Sequence, residues 1–238
     1  MSIHELVILF FLFFIGSCFG SFLNVVIYRV PKKMSIVRPA SHCFACKEPI
    51  QIIDNIPILG YFKLNGKCRN CGAQFASRYA FVELITGVLT LCIYMIYGWN
   101  DTFLVYLSLT YLLIAMTFVD IDHLIIPNGF VITGLLILII SVMMDWVAID
   151  WQDAMSGAFV FAGFLFAIGL IGQFILGKES IGFGDVKLGL VLGGFLGTEY
   201  SILALYLSFA ISAIVIFVML GSKLIDKNAK IPFGPYLA

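Results

Sequence analysis

The stretch Val119-Asp120-Ile121-Asp122-His123-Leu124-Ile125-Ile126-Pro127-Asn128 decides how this chain is read. A long apolar run ends on its two carboxylates, and another begins just past its proline. Ionisable groups at the end of a membrane-spanning helix are costly and are functional candidates by default. A second boundary of the same kind lies in Gly182-Phe183-Gly184-Asp185, where a carboxylate again meets the edge of an apolar run.

Working outward, the apolar runs form a series. A spanning helix needs roughly 20 mainly apolar residues, and such runs are expected near 6–28, 79–98, 102–119, 129–147, 154–176, 184–197 and 201–221. The short run at 184–197 carries five glycines and is expected to tilt or pack tightly. An eighth run starts at Ile231 and is cut short at Ala238. Of the 238 residues, 61% are hydrophobic and only 12% charged, with a mean hydropathy of +1.05. Soluble domains are nearer half apolar and a quarter charged, so the fold class is an all-α polytopic membrane protein of about seven to eight transmembrane helices.

The net charge is zero, but its distribution is uneven: nine of the fourteen Lys and Arg lie between residues 29 and 78. By the positive-inside rule that segment stays in the cytoplasm and the N-terminus lies outside. No cation precedes the first apolar run and several follow it, the reverse of a secretory signal. Threading the runs from there puts 99–101, 145–153 and 198–200 outside, all without Lys or Arg. It leaves Lys178, Lys187, Lys223, Lys227 and Lys230 inside. Both acidic boundaries then share the cytoplasmic side.

The chain is therefore expected to divide into a first spanning helix at 1–28, a polar insert at 29–78 and the remaining spans at 79–238, the last cut short. The insert is too short to build a self-sufficient core without a staple. Cys43-x2-Cys46 and Cys68-x2-Cys71, with 21 residues between the pairs, supply one. Four thiolates in two such hairpins match tetrahedral structural zinc, against an alternative of disulfides or free thiols. Cys18 and Cys92 lie in apolar runs and read as packing residues.

If the helix ending near Val119 continues through Asp122, residues two apart point to nearly opposite faces. Only one of Asp120 and Asp122 can then face Asp185. Two close carboxyls do not both ionise cheaply, so one acts as base while the other stays protonated, an aspartic-protease division of labour. Gly182 and Gly184 permit unusual backbone angles and the close approach of an extended peptide. Taken alone, Gly-x-Gly-Asp is also an ordinary Gly-rich turn ending in a helix cap. His123 reads as interfacial, Lys187 as an interfacial anchor able to act on Asp185, and Asn24 as an interhelical hydrogen-bonding residue. Glu83 either pairs with Arg78 or Lys187, or meets a substrate amine.

These motifs together resemble the bacterial type IV prepilin peptidases, membrane aspartyl proteases of the Gly-x-Gly-Asp class. The resemblance runs through Gly20-Ser21-Phe22-Leu23-Asn24, both Cys pairs, Asp54-Asn55-Ile56-Pro57, Ser77-Arg78-Tyr79 with Glu83, Asp120-x-Asp122, Gly182-Phe183-Gly184-Asp185 and Ile231-Pro232-Phe233-Gly234-Pro235. It implies that Asp120 and Asp185 are catalytic and Asp122 accessory, in a bacterial inner membrane. It implies cleavage of prepilin or pseudopilin leaders after a Gly at the cytoplasmic face, and methylation of the new N-terminus from S-adenosylmethionine. Expected partners are those substrates, the lipid bilayer and assembly proteins of a pilus or secretion system, with no nucleic acid.

Two rivals remain at this level. A transporter would use the buried carboxylates to bind a cation or relay protons, although matched inverted halves are missing. A non-catalytic scaffold of a pilus or secretion assembly would use the Cys module for docking.

Overall fold

The computed structural model describes residues 3–177, 181–224 and 231–238. Lys178, Lys227 and Lys230 of the topology argument lie outside the described residues. The described residues form helices and no strand, in the order α1 (Ile3–Arg29), α2 (Leu59–Lys63), α3 (Arg78–Tyr97), α4 (Asp101–His123), α5 (Asn128–Met143), α6 (Trp151–Leu176), α7 (Phe183–Gly221) and α8 (Gly234–Leu237). Among them α1, α3, α4, α6 and α7 are long and apolar enough to cross a membrane, and α5 is a shorter apolar helix of 16 residues. The chain divides into two compact units, Met1–Ala115 and Met116–Ala238.

In the first unit, α1 and α3 pack through small residues. A Cβ on Gly16 would strike Thr90, one on Gly20 would strike the Glu83 backbone, and one on Gly87 would strike Ser17. Small residues let membrane helices approach where no hydrophobic drive separates protein from lipid. Asn24 donates from Nδ2 to the Tyr79 carbonyl at 3.0 Å, the interhelical role expected of it. The Tyr111 hydroxyl on α4 meets Thr90 Oγ1 at 2.9 Å, and its ring tilts against Phe19.

In the second unit, α7 spans 39 residues, about 58 Å if straight and nearly twice a bilayer core. It is not straight. Gly197 takes φ 69° and ψ −177°, and Ser201 Oγ reaches the carbonyl of Gly193 at 3.4 Å. Residues eight apart in an unbroken helix are about 12 Å apart, so the chain folds back at Gly197. This gives the two spans expected at 184–197 and 201–221. A Cβ on Gly197 would collide with the Asp153 carboxylate, which accepts the Thr198 amide at 3.0 Å and so caps the returning limb. Gly157 and Gly193 meet backbone to backbone where α6 and α7 cross. Helix α6 starts at Asp150, whose carboxylate caps the Asp153 amide at 2.7 Å, and stops at left-handed Gly177.

Candidate active site

Helix α4 does not stop at Val119 but runs on to His123, so the stretch that opened the sequence reading is helical through both carboxylates. Leu124, in a left-handed conformation at φ 54°, ends it while its amide closes the last turn on the Asp120 carbonyl at 2.9 Å. The helical continuation separates the two acids as expected: Asp120 is buried, with 5% of its surface exposed, whereas Asp122 and His123 are exposed.

Asp185 enters from the first turn of α7 and is likewise buried, at 8% exposure. Its amide donates to the Gly182 carbonyl at 3.0 Å. The start of α7 meets Ile126, six residues past Asp120, and so brings Asp185 to the end of α4. The glycines provide this closeness through space rather than unusual backbone angles, which corrects the sequence expectation. Gly182 is ordinary extended backbone, at φ −68° and ψ 141°, and neither Gly182 nor Gly184 has a positive φ. A Cβ on Gly184 would stand 3.3 Å from Ile126 Cβ, and one on Gly182 would stand 3.3 Å from Asp185 Oδ2. Gly184 thus lets the start of α7 lie against the connection between α4 and α5.

A third element completes the site. At the start of α8 the Gly234 amide donates to Asp120 Oδ2 at 2.9 Å, and a Cβ there would lie 2.7 Å from the same oxygen. Sequence reasoning noted Gly234 within Pro232-Phe233-Gly234-Pro235 but gave it no chemistry. A residue that acts through its backbone amide, 114 positions away, leaves no side-chain signal. Lys187 does not pair with Asp185: its Nζ donates to Asn128 Oδ1 at 2.8 Å and stands 4.8 Å over the Phe183 ring. Glu83, in the other unit, accepts the Ile58 amide at 2.7 Å through Oε2, a partner that sequence reasoning missed.

The insert carries a second constellation. Cys43, Cys46, Cys68 and Cys71 are free thiols whose sulfurs all lie within 4.8 Å of one another. The two hairpins repeat one design: Lys47 and Gly72 take positive φ and donate to the carbonyls of Cys43 and Cys68, both at 3.0 Å. Cys43 Sγ is 3.7 Å from Cys71 Sγ, and Cys46 Sγ is 3.9 Å from Cys68 Sγ. Four thiolates around zinc at about 2.3 Å form a tetrahedron with edges of about 3.8 Å, so the donor set and its spacing fit zinc. Left as thiols, Cys43 and Cys46 are unequal. The Cys46 amide leads in lowering Cys43 to about 6. The Glu48 amide works to lower Cys46, yet burial and the sulfurs of Cys71, Cys43 and Cys68 push it up to about 12. His42 is not part of the cluster and meets the Ala40 carbonyl at 2.9 Å through Nδ1.

Comparison with known proteins gives concordant matches. Residues 14–97 match the model described as the bacterial peptidase A24 N-terminal domain, and residues 107–218 match the type IV leader peptidase family. A Myxococcus xanthus protein named prepilin leader peptidase/N-methyltransferase is 40% identical over 191 residues, covering 78% of this chain and 55% of that protein. A Pseudomonas aeruginosa protein of the same name is 32% identical over all of this chain and 90% of its own length. An Aeromonas salmonicida protein, again of that name, is 34% identical over 95% of this chain and 86% of its own length. No solved structure matches.

Proposed function

Because the chain belongs to the type IV leader peptidase family, we propose that it is a membrane aspartyl endopeptidase that removes the leader of type IV prepilins or pseudopilins and methylates the N-terminus it exposes. The observation that carries this reading is the pair of buried carboxyls, Asp120 and Asp185, at helix ends that Gly184 and Ile126 bring together.

The two carboxyls share one proton, since close carboxylates do not both ionise cheaply. The ionised partner takes a proton from water as the water oxygen bonds to the scissile carbonyl carbon, and the protonated partner gives its proton to the carbonyl oxygen. In the gem-diol that results, the first carboxyl passes its proton to the amide nitrogen and the C–N bond breaks. A gem-diol hydroxyl returns a proton to the second carboxyl, leaving a leader with a new carboxyl terminus and a mature chain with a free amine. Gly234 holds Asp120 in position, and Gly184 holds the start of α7 against Ile126. Asp122 and Lys187 act as accessory groups outside this exchange.

Cys43, Cys46, Cys68 and Cys71 would hold a structural zinc. When bound, it cross-links the two hairpins and, with four protein ligands, offers no open position for Lewis-acid chemistry. S-adenosylmethionine is the proposed methyl donor. The described residues contain no strand, and so none of the strand, Gly-rich turn and helix arrangement that binds nucleotides, and no step above runs through the donor. The charge distribution supports an N-terminus outside and a carboxylate pair at the cytoplasmic face of the inner membrane, where pilus or secretion assembly proteins would meet it. Nothing observed favours the transporter reading.

The test is the mass of a prepilin co-expressed with this protein. A product lacking its leader and heavier by one methyl group supports both activities, a product only lacking its leader supports the peptidase alone, and an intact leader contradicts the proposal.

A further inference from the structure

The segment 52–62 of the insert reaches α3 through the Ile58 amide, which donates to Glu83, and faces α1 across an open cavity. Two independent observations bear on its depth. First, Ile58 is held by Glu83, which lies five positions after Arg78, about 7.5 Å into α3. Glu83 packs at the level of Gly20, since a Cβ on Gly20 would meet its backbone, while the first turn of α3 is level with Asn24 through Tyr79. Second, Ile52, Asn55, Ile56 and Pro57 share the walls of an open cavity of about 360 Å³ with Phe14 and Cys18 of α1, and with Ala40, Ser41 and Ile50 beside the first Cys pair. Cys18 and Phe14 lie about 16 and 22 Å along the helix axis from Arg29, the end of α1 nearest the insert.

At that depth the segment shows an apolar surface: Ile52 is 91% exposed, Leu59 65% and Phe62 66%, with Ile53 also exposed. Part of its backbone is satisfied within the segment, as polar groups in a bilayer must be, while the amides of Ile52, Ile53 and Ile56 have no backbone acceptor among the described bonds. The amides of Asp54 and Asn55 bond to Gln51, that of Gly60 to Ile56 and that of Phe62 to Ile58, and Pro57 has no N–H. Ile58 sits at φ 64° and ψ −55° in the tight turn that Leu59 closes on the Pro57 carbonyl at 2.6 Å. This is the rare, strained form of γ-turn. The turn leaves the Ile58 amide without a backbone acceptor among the described bonds, and the Glu83 carboxylate supplies one.

We propose that residues 52–62 form a lipid-facing element seated in the bilayer leaflet on the insert's side, with Ile52, Ile53, Leu59 and Phe62 in contact with acyl chains and Glu83 as its tether. The apolar surface continues that of α1 next to it, where Phe10, Phe11 and Phe14 are also exposed. A prepilin helix is the other occupant of matching chemistry. Continuity with a surface that lipid already covers favours acyl chains.

The test uses the full-length protein in bilayer nanodiscs containing a phospholipid with a diazirine in its acyl chain, followed by photolysis and peptide mapping. Adducts are expected on 52–62 within about twofold of those on α1, and at least about tenfold above those on the Phe44 hairpin. In the Glu83→Ala variant, adducts on 52–62 should fall several-fold relative to those on α1, whereas Glu83→Gln, which keeps an acceptor oxygen, should retain them. Labelled spans with an unlabelled 52–62 segment would overturn the proposal. So would adducts on 52–62 that disappear when equimolar prepilin is added, which would make the surface a substrate groove. The mapping is independent of leader cleavage, so its failure and a failure of the peptidase reading are distinguishable.

Discussion

The Gly234 amide and the Asp120 carboxylate, 114 residues apart in sequence, meet at 2.9 Å. The bond places one oxygen of Asp120, and a side chain at position 234 would occupy nearly the same space. Gly234→Ala is therefore expected to displace the carboxyl. Losing a hydrogen bond to a charged group costs about 1.5–3 kcal/mol, or roughly a 10- to 100-fold fall in kcat for leader cleavage. Purified yield and KM should change little. Gly184→Ala, whose new Cβ has 3.3 Å to Ile126 rather than 2.7 Å to a carboxylate, is expected to lose less. Equal activity of Gly234→Ala and the parent would remove the positioning role.

The cysteine cluster makes a stoichiometric prediction. Protein purified under reducing conditions should carry about one zinc per chain, with Cys43, Cys46, Cys68 and Cys71 protected from alkylation. Chelation should expose all four together and loosen the insert to proteolysis. Four reactive thiols before chelation, with no metal found, would contradict this.

Asp54 ties the turn at Ile52–Asp54 to the second hairpin, accepting from Arg69 Nε at 2.6 Å and from Nη2 as well. Asp54→Asn weakens that tie and is expected to speed proteolysis of the insert with zinc content unchanged. Equal proteolysis of variant and parent would count against the link.

At the turn between the two limbs of α7, Asp153→Ala removes the cap on the Thr198 amide. The expected cost is about 1 kcal/mol, seen as a lower Tm in detergent with leader cleavage retained, and Asp153→Asn should recover most of it. An unchanged Tm in the alanine variant would argue against capping.

The membrane class, the apolar runs, the Cys pairs and the two candidate acids were legible because each is written in side-chain chemistry at a readable period or spacing. The separation of Asp120 from Asp122 followed from helical geometry once the helix was allowed to run through both. Features carried by the backbone were not legible. Gly234 acts through its amide, Ile58 through a strained turn, and Gly182 and Gly184 through space that a Cβ would fill. The tie between 52–62 and α3 was hidden for another reason. Charge counts treat the 50-residue insert as one block, whereas the bond from the Ile58 amide to Glu83 links one part of it to α3.

The central claim is that Asp120 and Asp185 form one catalytic pair, from which Asp122 is excluded. Its most direct test is the mass of a prepilin incubated with Asp120→Asn, Asp185→Asn and Asp122→Asn in parallel, each shown to accumulate as folded membrane protein. The account predicts an intact leader with the first two and a cleaved leader with the third. Cleavage by either Asp120→Asn or Asp185→Asn would contradict it.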